Sequence, residues 1–212
     1  MRATFKQLFQ ENRGFILFLM LMFAFRSAVA DWNHVPTGSM QPTIEIGDRI
    51  LVNKMAYDVR IPFTNVSLHR IADPVRGDIV IFDSKVSEKR LVKRVVGLSG
   101  DMIEMRDNTL RINGEVLSYT QAENGDMSED LLGVRHIVRT KPFGSRLSNF
   151  AAIRIPEGQY LMLGDNRDFS ADSRVIGLVP RDEIQGRARH VVLSFDYDNY
   201  YLPRGDRYLQ AL

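Results

Sequence analysis

The chain has 212 residues, 44% of them apolar and 25% charged, with no cysteine and a formal charge of +2. That describes one sizeable globular domain or two small ones, and it excludes disulfides, a thiolate zinc site and a cysteine nucleophile. Arg2, Lys6, Arg13 and Arg26 against Glu11 give residues 1–30 a charge of +3 and leave −1 for the rest, so no basic body remains to hold a nucleic acid.

Gly14 to Phe25 (GFILFLMLMFAF) is an uninterrupted run of 12 apolar residues, short of the roughly 20 that span a bilayer. A basic start, a short apolar core and Ala28-Val29-Ala30 also describe a cleavable secretory leader. Arg26, however, stands between the core and that triplet, where such a leader is usually neutral. It is placed to snorkel to the outer interface beside Trp32, extending the effective span to about residue 31. The expectation is therefore a cytoplasmic tail and single transmembrane anchor over 1–31, the N-terminus inside and a domain over 32–212 outside.

Val35-Pro36-Thr37-Gly38-Ser39-Met40-Gln41-Pro42-Thr43 follows. Two prolines and a central glycine make it a fixed turn or extended loop. Such a loop can present Ser39 as a nucleophile, with Thr37 and nearby backbone N–H groups facing an oxyanion. Taken alone, the plainer reading is a proline-bounded turn with solvated hydroxyls.

Beyond it the chain reads as short strands between turns. Gly-Asp pairs recur at 47–48, 77–78, 100–101, 125–126, 164–165 and 205–206. Branched residues mark strands at Arg49–Met55, Asp78–Phe82 and Leu91–Val96. Met102–Arg106 and Thr109–Asn113 flank an Asp107-Asn108 turn, and Asn113-Gly114 supplies a second turn. Acidic Gln121–Asp130 predicts an exposed loop. Leu131–Arg139, Tyr160–Leu163 and Arg187–Phe195 complete the strands, and Pro180–Ile184 predicts a short helix. The fold expected is mainly β: a folded antiparallel sheet or partly closed barrel with a small β-rich insertion.

A serine nucleophile needs a base. His34, His69, His136 and His190 sit in no triad context, and His34 is too close in sequence to Ser39 to reach it easily. Strand alternation puts Lys93 on one face with Leu91 and Val95. Desolvation there would leave a neutral amine able to accept a proton, as in Ser–Lys variants of the serine-hydrolase arrangement; a lysine snorkelling out of the strand is the plainer alternative. Gly164–Arg174 (GDNRDFSADSR) is dense in polar groups. Ser170 is placed to orient a neutral lysine, and Asp172 with Arg174 to form a bracing ion pair. The acids at 165, 168 and 172 lack the spacing of a calcium loop, and the interleaved arginines argue against a cation there.

Together these segments resemble the bacterial type I signal peptidases, or leader peptidases. The match runs in order from the anchor through PTGSMQPTIEIGDRILVNK, RGDIVIF at 76–82 and LVKRVVGLSGD at 91–101 to GDNRDFSADSRVIGLVP at 164–180. The resemblance implies Ser39 as nucleophile, Lys93 as general base, and the Thr37 hydroxyl with the Ser39 N–H as oxyanion donors. It implies Ser170 as partner of the lysine, support from Asp172, Arg174 and Arg94, and pocket walls from Val35, Met40, Ile44, Leu91 and Val92. It implies neither metal nor cofactor. The substrate class would be exported preproteins cut after small residues in Ala-x-Ala sites, and the setting the bacterial inner membrane, with the bilayer and the secretion translocon as partners. Two departures stand out: Thr37 occupies a position where serine is familiar, and the region 101–160 is short, so the cap, about 104–155, is small. A processing peptidase of a conjugation or pilus system would share the machinery. A LexA-like self-cleaving regulator would need a DNA-binding domain and no anchor. A non-enzymatic membrane-tethered β-module would leave the Ser39 and Lys93 motifs unexplained.

Overall fold

The computed structural model of the chain describes residues 9–64 and 66–212. Its first complete helix, α1 (Arg13–Ala28), buries none of its side chains. At about 1.5 Å per residue it is shorter than the roughly 30 Å hydrocarbon layer of a bilayer. Among the described residues no helix is long and apolar enough to cross a membrane. Arg2 and Lys6 of the expected cytoplasmic tail lie outside the described residues.

The strands follow in chain order: β1 (Ala30–His34), β2 (Asp48–Asn53), β3 (Asp58–Arg60), β4 (Ser67–Arg70), β5 (Ile79–Ser84), β6 (Lys89–Gly97), β7 (Met102–Arg106), β8 (Thr109–Ile112) and β9 (Glu115–Val116). After these come β10 (Ser118–Gln121), β11 (Met127–Asp130), β12 (Arg135–Val138), β13 (Phe150–Arg154), β14 (Gln159–Leu163), β15 (Val179–Pro180), β16 (Ile184–Asp196), β17 (Leu202–Pro203) and β18 (Gln210–Ala211). A one-turn helix, α2 (Ser173–Ile176), lies between β14 and β15. The fold is thus mainly β, as expected.

The main sheet runs β1-β2-β16-β5-β6-β14-β15, with antiparallel pairs throughout. It does not close into a barrel, because β1 and β15 remain the ends of that order. The Ile79–Phe82 run explains how the sheet is buried on both sides. Ile79 and Ile81 join Val35, Met40, Ile44, Ile50 and Val191 in one cluster, while Val80 and Phe82 join Val95, Met162 and Ile184 in another. Alternation along the strand sends neighbours to opposite faces.

The insertion holds two small sheets, β13-β7-β8-β9 and β10-β11-β12. It is fused to the main sheet by a cluster in which Val96, Leu161 and Leu163 pack with Ile103, Met105, Leu110, Ile112 and Leu131. Its first hairpin turns at Asp107 and Asn108, both in the left-handed region (φ 48° and 61°) that an Asp-Asn turn tolerates.

Several sequence expectations are corrected. Gln121–Asp130 is not an exposed loop: it contains the end of β10 and all of β11, and Glu129 within it is fully buried against Arg167. The acidic composition concealed a buried ion pair. Leu131–Arg139 is a strand only from Arg135, since Leu132 and Gly133 turn at positive φ. Pro180 belongs to β15, and only Arg181–Glu183 coils, as a single 3-10 turn. The strands β1, β3, β4 and β13 lack clear alternation and were not expected; β1 is a polar edge strand.

Candidate active site

Thr37 is extended (φ −132°, ψ 150°), and the chain then tightens into a 3-10 turn over Gly38–Met40. Gly38 and Met40 are buried and Ser39 is half-buried, so the apolar Met40 moors the turn while its neighbour faces outward. Lys93, midway along β6, is 2% exposed. Its Nζ lies 2.6 Å from Ser39 Oγ and 2.9 Å from the Val92 carbonyl oxygen. Burial pushes the Lys93 amine down from 10.5 to about 8, against the opposing charges of Asp172 and Asp165. Roughly a tenth to a fifth of the amine is then neutral near physiological pH, against about a thousandth for an unperturbed lysine, and a neutral amine can accept the proton of a hydroxyl 2.6 Å away.

The loop after β14 holds this pair. Asp165 is buried, and its carboxylate accepts from Arg94 Nε at 2.9 Å, Arg94 Nη2 at 2.7 Å and Thr43 Oγ1 at 2.5 Å. Burial alone would raise the Asp165 pKa, but the Arg94 guanidinium more than offsets it and holds the carboxyl below its ordinary range. Arg94 Nη1 also donates to the Gly77 carbonyl oxygen at 2.9 Å. Asn166 reaches the Gly38–Met40 turn directly: its backbone N–H donates to Ser39 O at 3.1 Å and its Nδ2 to Gly38 O at 3.0 Å. Asp172 accepts from the Gly164 N–H at 3.0 Å and pairs with Arg174 at 2.6 Å, while Arg174 Nη1 and Nη2 donate to Leu147 O and Arg167 O. The acids at 165, 168 and 172 therefore face different partners. Asp168 takes hydroxyls of Ser145 and Ser148 and the Asn108 amide.

Gly164 lets this loop approach Ser39. A Cβ there would lie 2.6 Å from Ser170 Cβ and press on Ser170 Oγ and Ser39 O. Ser170 is 3% exposed, and its hydroxyl has no hydrogen-bond partner among the described residues. The bond to Lys93 that the resemblance implies is thus not formed here, because the amine contacts Ser39 Oγ and Val92 O instead.

Beside the pair lies a cleft of about 410 Å³ lined by Asn33–Thr37, Ser39 and Met40 on one side and Ile81 and Lys89–Lys93 on the other. Val35, Met40, Leu91 and Val92 are among its walls, and Thr37 is an exposed part of the rim. Ile44 does not line it; it is fully buried in the cluster with Met40. Among the described residues β14 pairs with β6 only at Arg94, Val95 and Gly97, so the Lys89–Val92 half of β6 keeps a free backbone edge. The outer edge of β1 is also unpaired among the described residues, and the two edges flank the cleft.

Asn166 and Thr43 carry no local signature in the sequence, and Asp165 reads there only as one of three acids without the spacing of a cation loop. Their signal was position: Asp165 and Asn166 leave a buried strand just where the Gly164 hinge permits close approach. Of the histidines, only His34 lines the cleft. His136 is buried near Glu129 (3.4 Å) and Asp165 (3.9 Å), and burial, with Arg94 nearby, pushes it down to about 4, leaving it neutral.

A family model described as "Signal peptidase, peptidase S26" matches residues 10–193. Signal peptidase I of Pseudomonas aeruginosa is 35% identical over 209 residues, 89% of this chain and 73% of that protein. Signal peptidase I of Bacillus licheniformis is 30% identical over 190 residues, 89% of this chain and 90% of that protein. A crystal structure of a signal peptidase I from Enterococcus faecalis V583 is 32% identical, covering 55% of this chain and 97% of that chain at a TM-score of 0.38.

Proposed function

We propose that this chain, which belongs to the signal peptidase family (peptidase S26), removes signal peptides with Ser39 as nucleophile and Lys93 as general base. Membership makes it a serine endopeptidase. The observation that carries the assignment of roles is the 2.6 Å contact between Ser39 Oγ and a Lys93 amine shielded from water and lowered to about 8.

The neutral Lys93 amine takes the Ser39 proton as Oγ attacks the carbonyl carbon of the scissile bond. The carbonyl electron pair moves to oxygen, where the Thr37 hydroxyl and the Ser39 N–H donate to it. The lysine ammonium then gives its proton to the leaving nitrogen, the C–N bond breaks, and an acyl-enzyme on Ser39 remains. Lys93 deprotonates a water that attacks this ester, and Oγ leaves with the proton. Asp165 with Arg94, and Asp172 with Arg174, keep the supporting loop in place.

The two free edges beside the cleft suit an extended segment added as a strand. Shallow apolar walls from Val35, Met40, Leu91 and Val92 favour small side chains at the first and third positions before the cut, as in Ala-x-Ala. Residues 1–31 serve as an anchor in the bacterial inner membrane, with the catalytic domain outside. Three observations support that reading: α1 leaves its apolar side chains uncovered, Arg26 lies 4.5 Å over the Trp32 ring, and Arg26 pairs with Asp31 at 2.7 Å. Anchoring beside membrane-held preproteins at the translocon raises their effective concentration.

The test is to incubate the detergent-solubilised full chain with a precursor bearing an Ala-x-Ala site and to map the cut by mass spectrometry. Cleavage after the second alanine, lost in Ser39→Ala and in Lys93→Met, is expected. Cleavage elsewhere, or undiminished cleavage by Lys93→Met, overturns the assignment.

A further inference from the structure

The small sheet β10-β11-β12 is tied to the catalytic loop through a buried ion pair. Glu129, on β11, and Arg167, in the loop, are 0% and 1% exposed. Glu129 Oε1 accepts from Arg167 Nη2 at 2.6 Å, and Glu129 Oε2 accepts from the Tyr119 hydroxyl of β10 at 2.6 Å. Arg167 Nε and Nη1 have no hydrogen-bond partner among the described residues, so this carboxylate is what locates the guanidinium. A second tie runs alongside in the backbone. The Arg167 N–H donates to Arg139 O at 2.8 Å and the Arg139 N–H to Asp165 O at 2.8 Å, just beyond β12. Between Asp165 and Arg167 sits Asn166, whose two donors hold the carbonyls of Gly38 and Ser39. The path from β11 to the nucleophile backbone is therefore unbroken.

We propose that the insertion acts as a brace for the nucleophile: Glu129 fixes Arg167 and through it Asn166, and Asn166 sets the Gly38–Ser39 backbone against Lys93. Glu129 and Asn166 are then positioning residues rather than catalytic ones. The proposal rests on the reading of Ser39 as nucleophile. A carboxylate that merely stabilised the insertion would change melting behaviour and leave turnover alone. One that positions Ser39 changes turnover without changing substrate binding or the titration of Lys93, since neither Glu129 nor Asn166 contributes to the cleft walls.

The experiment uses the full chain in detergent and one precursor peptide, with Glu129→Gln, Asn166→Ala and the double variant. Each single change is expected to lower kcat about tenfold or more with KM within about twofold and the pH inflection of Lys93 in place. The double variant is expected to lose little beyond the worse single variant, because both changes cut the same path. Multiplying losses, an unchanged kcat, or a rise in KM at constant kcat overturns the brace. If Glu129→Gln fails to fold, Tyr119→Phe, which removes only the hydroxyl donated to Glu129, takes its place in the same cycle under the same criteria. Ser39→Ala in the same assay separates the levels. Retained activity there sinks the nucleophile assignment and the brace with it, whereas an inert Ser39→Ala beside fully active Glu129 and Asn166 variants sinks the brace alone.

Discussion

Lys93→Met tests the central chemistry through stability as well as rate. Burial lowers the Lys93 pKa from 10.5 to about 8, a difference of about 3 kcal/mol at about 1.36 kcal/mol per tenfold change in proton affinity. Below pH 8 the native chain holds a buried ammonium that the unfolded chain would keep in water, so the folded state carries the whole of that cost. Between pH 8 and 10.5 the unfolded state binds more protons than the folded one, and stability therefore rises with pH. Above 10.5 the lysine is neutral in both states and the cost has gone. A methionine side chain at this position cannot titrate, so the variant should be the more stable protein at pH 7 by up to about 3 kcal/mol, less the contacts of the amine. That advantage should shrink across pH 8 to 10.5. Urea unfolding of the native and variant chains at several pH values measures the difference, in which the titration of the tyrosines cancels. In parallel, kcat/KM of the native enzyme should climb about tenfold per pH unit below 8 and level off above it. A pH-independent stability difference, together with a rate inflection near 10.5, would refute the neutral buried base.

Thr37→Val keeps the shape of the rim residue but deletes its hydroxyl; kcat should fall by roughly 10²–10³ with little change in KM, while Thr37→Ser stays active. Should Thr37→Val instead raise KM at constant kcat, Thr37 is only a wall of the cleft. Gly164→Ala drives a methyl group into Ser39 O and Ser170, and should lower kcat by about a hundredfold or more, since reacting groups tolerate little displacement; full activity in that variant would show that the loop does not set the nucleophile. Ser170→Ala should lower kcat without lowering the thermal midpoint, because its hydroxyl has no hydrogen bond to lose in the resting state. Ser173→Ala should do the reverse, since Ser173 Oγ accepts the buried Met162 N–H at 2.9 Å, at a stability cost of about 1–3 kcal/mol. Equal effects of the two serine changes on both readouts would reduce Ser170 to packing.

The parts of the molecule legible in the sequence were those with a local signature. Ile79–Phe82 is too short and too branched to be anything but a strand, and Asn113-Gly114 marks the turn between β8 and β9. Lys93 stood out because alternation surrounds it with Leu91 and Val95, and Asp172 found its partner Arg174 only two residues away. What the sequence hid were pairings across long separations. Arg94 meets Asp165 and Asn166 meets Gly38 only after the sheet has formed, and no local pattern announces either. Glu129 is the sharpest case: acidic and polar neighbours between Gln121 and Asp130 advertise solvent, while the residue itself is the counter-ion of a buried arginine. The polar edge strand β1 was missed for a related reason, as its pairing with β2 comes from the backbone and not from alternating side chains.

The place of β16 bears on the order in which the two sides of the site are assembled. The segment bearing Ser39 belongs to the β1–β2 side of the main sheet and Lys93 to the β5–β6 side, and β16 is the strand that joins β2 to β5. During synthesis both reactive residues emerge early, on two hairpins that have no strand pairing with each other. Residues 184–196 arrive last among the strands that connect them, after the loop carrying Asp165 and Asn166. A growing chain that has not yet reached residue 184 lacks the one strand that pairs with both β2 and β5, and has only the Asn166 and Asp165 contacts and the packing around Met40 to bring Ser39 toward Lys93. The sheet that frames the two side chains is therefore continuous only when the last long strand is in place.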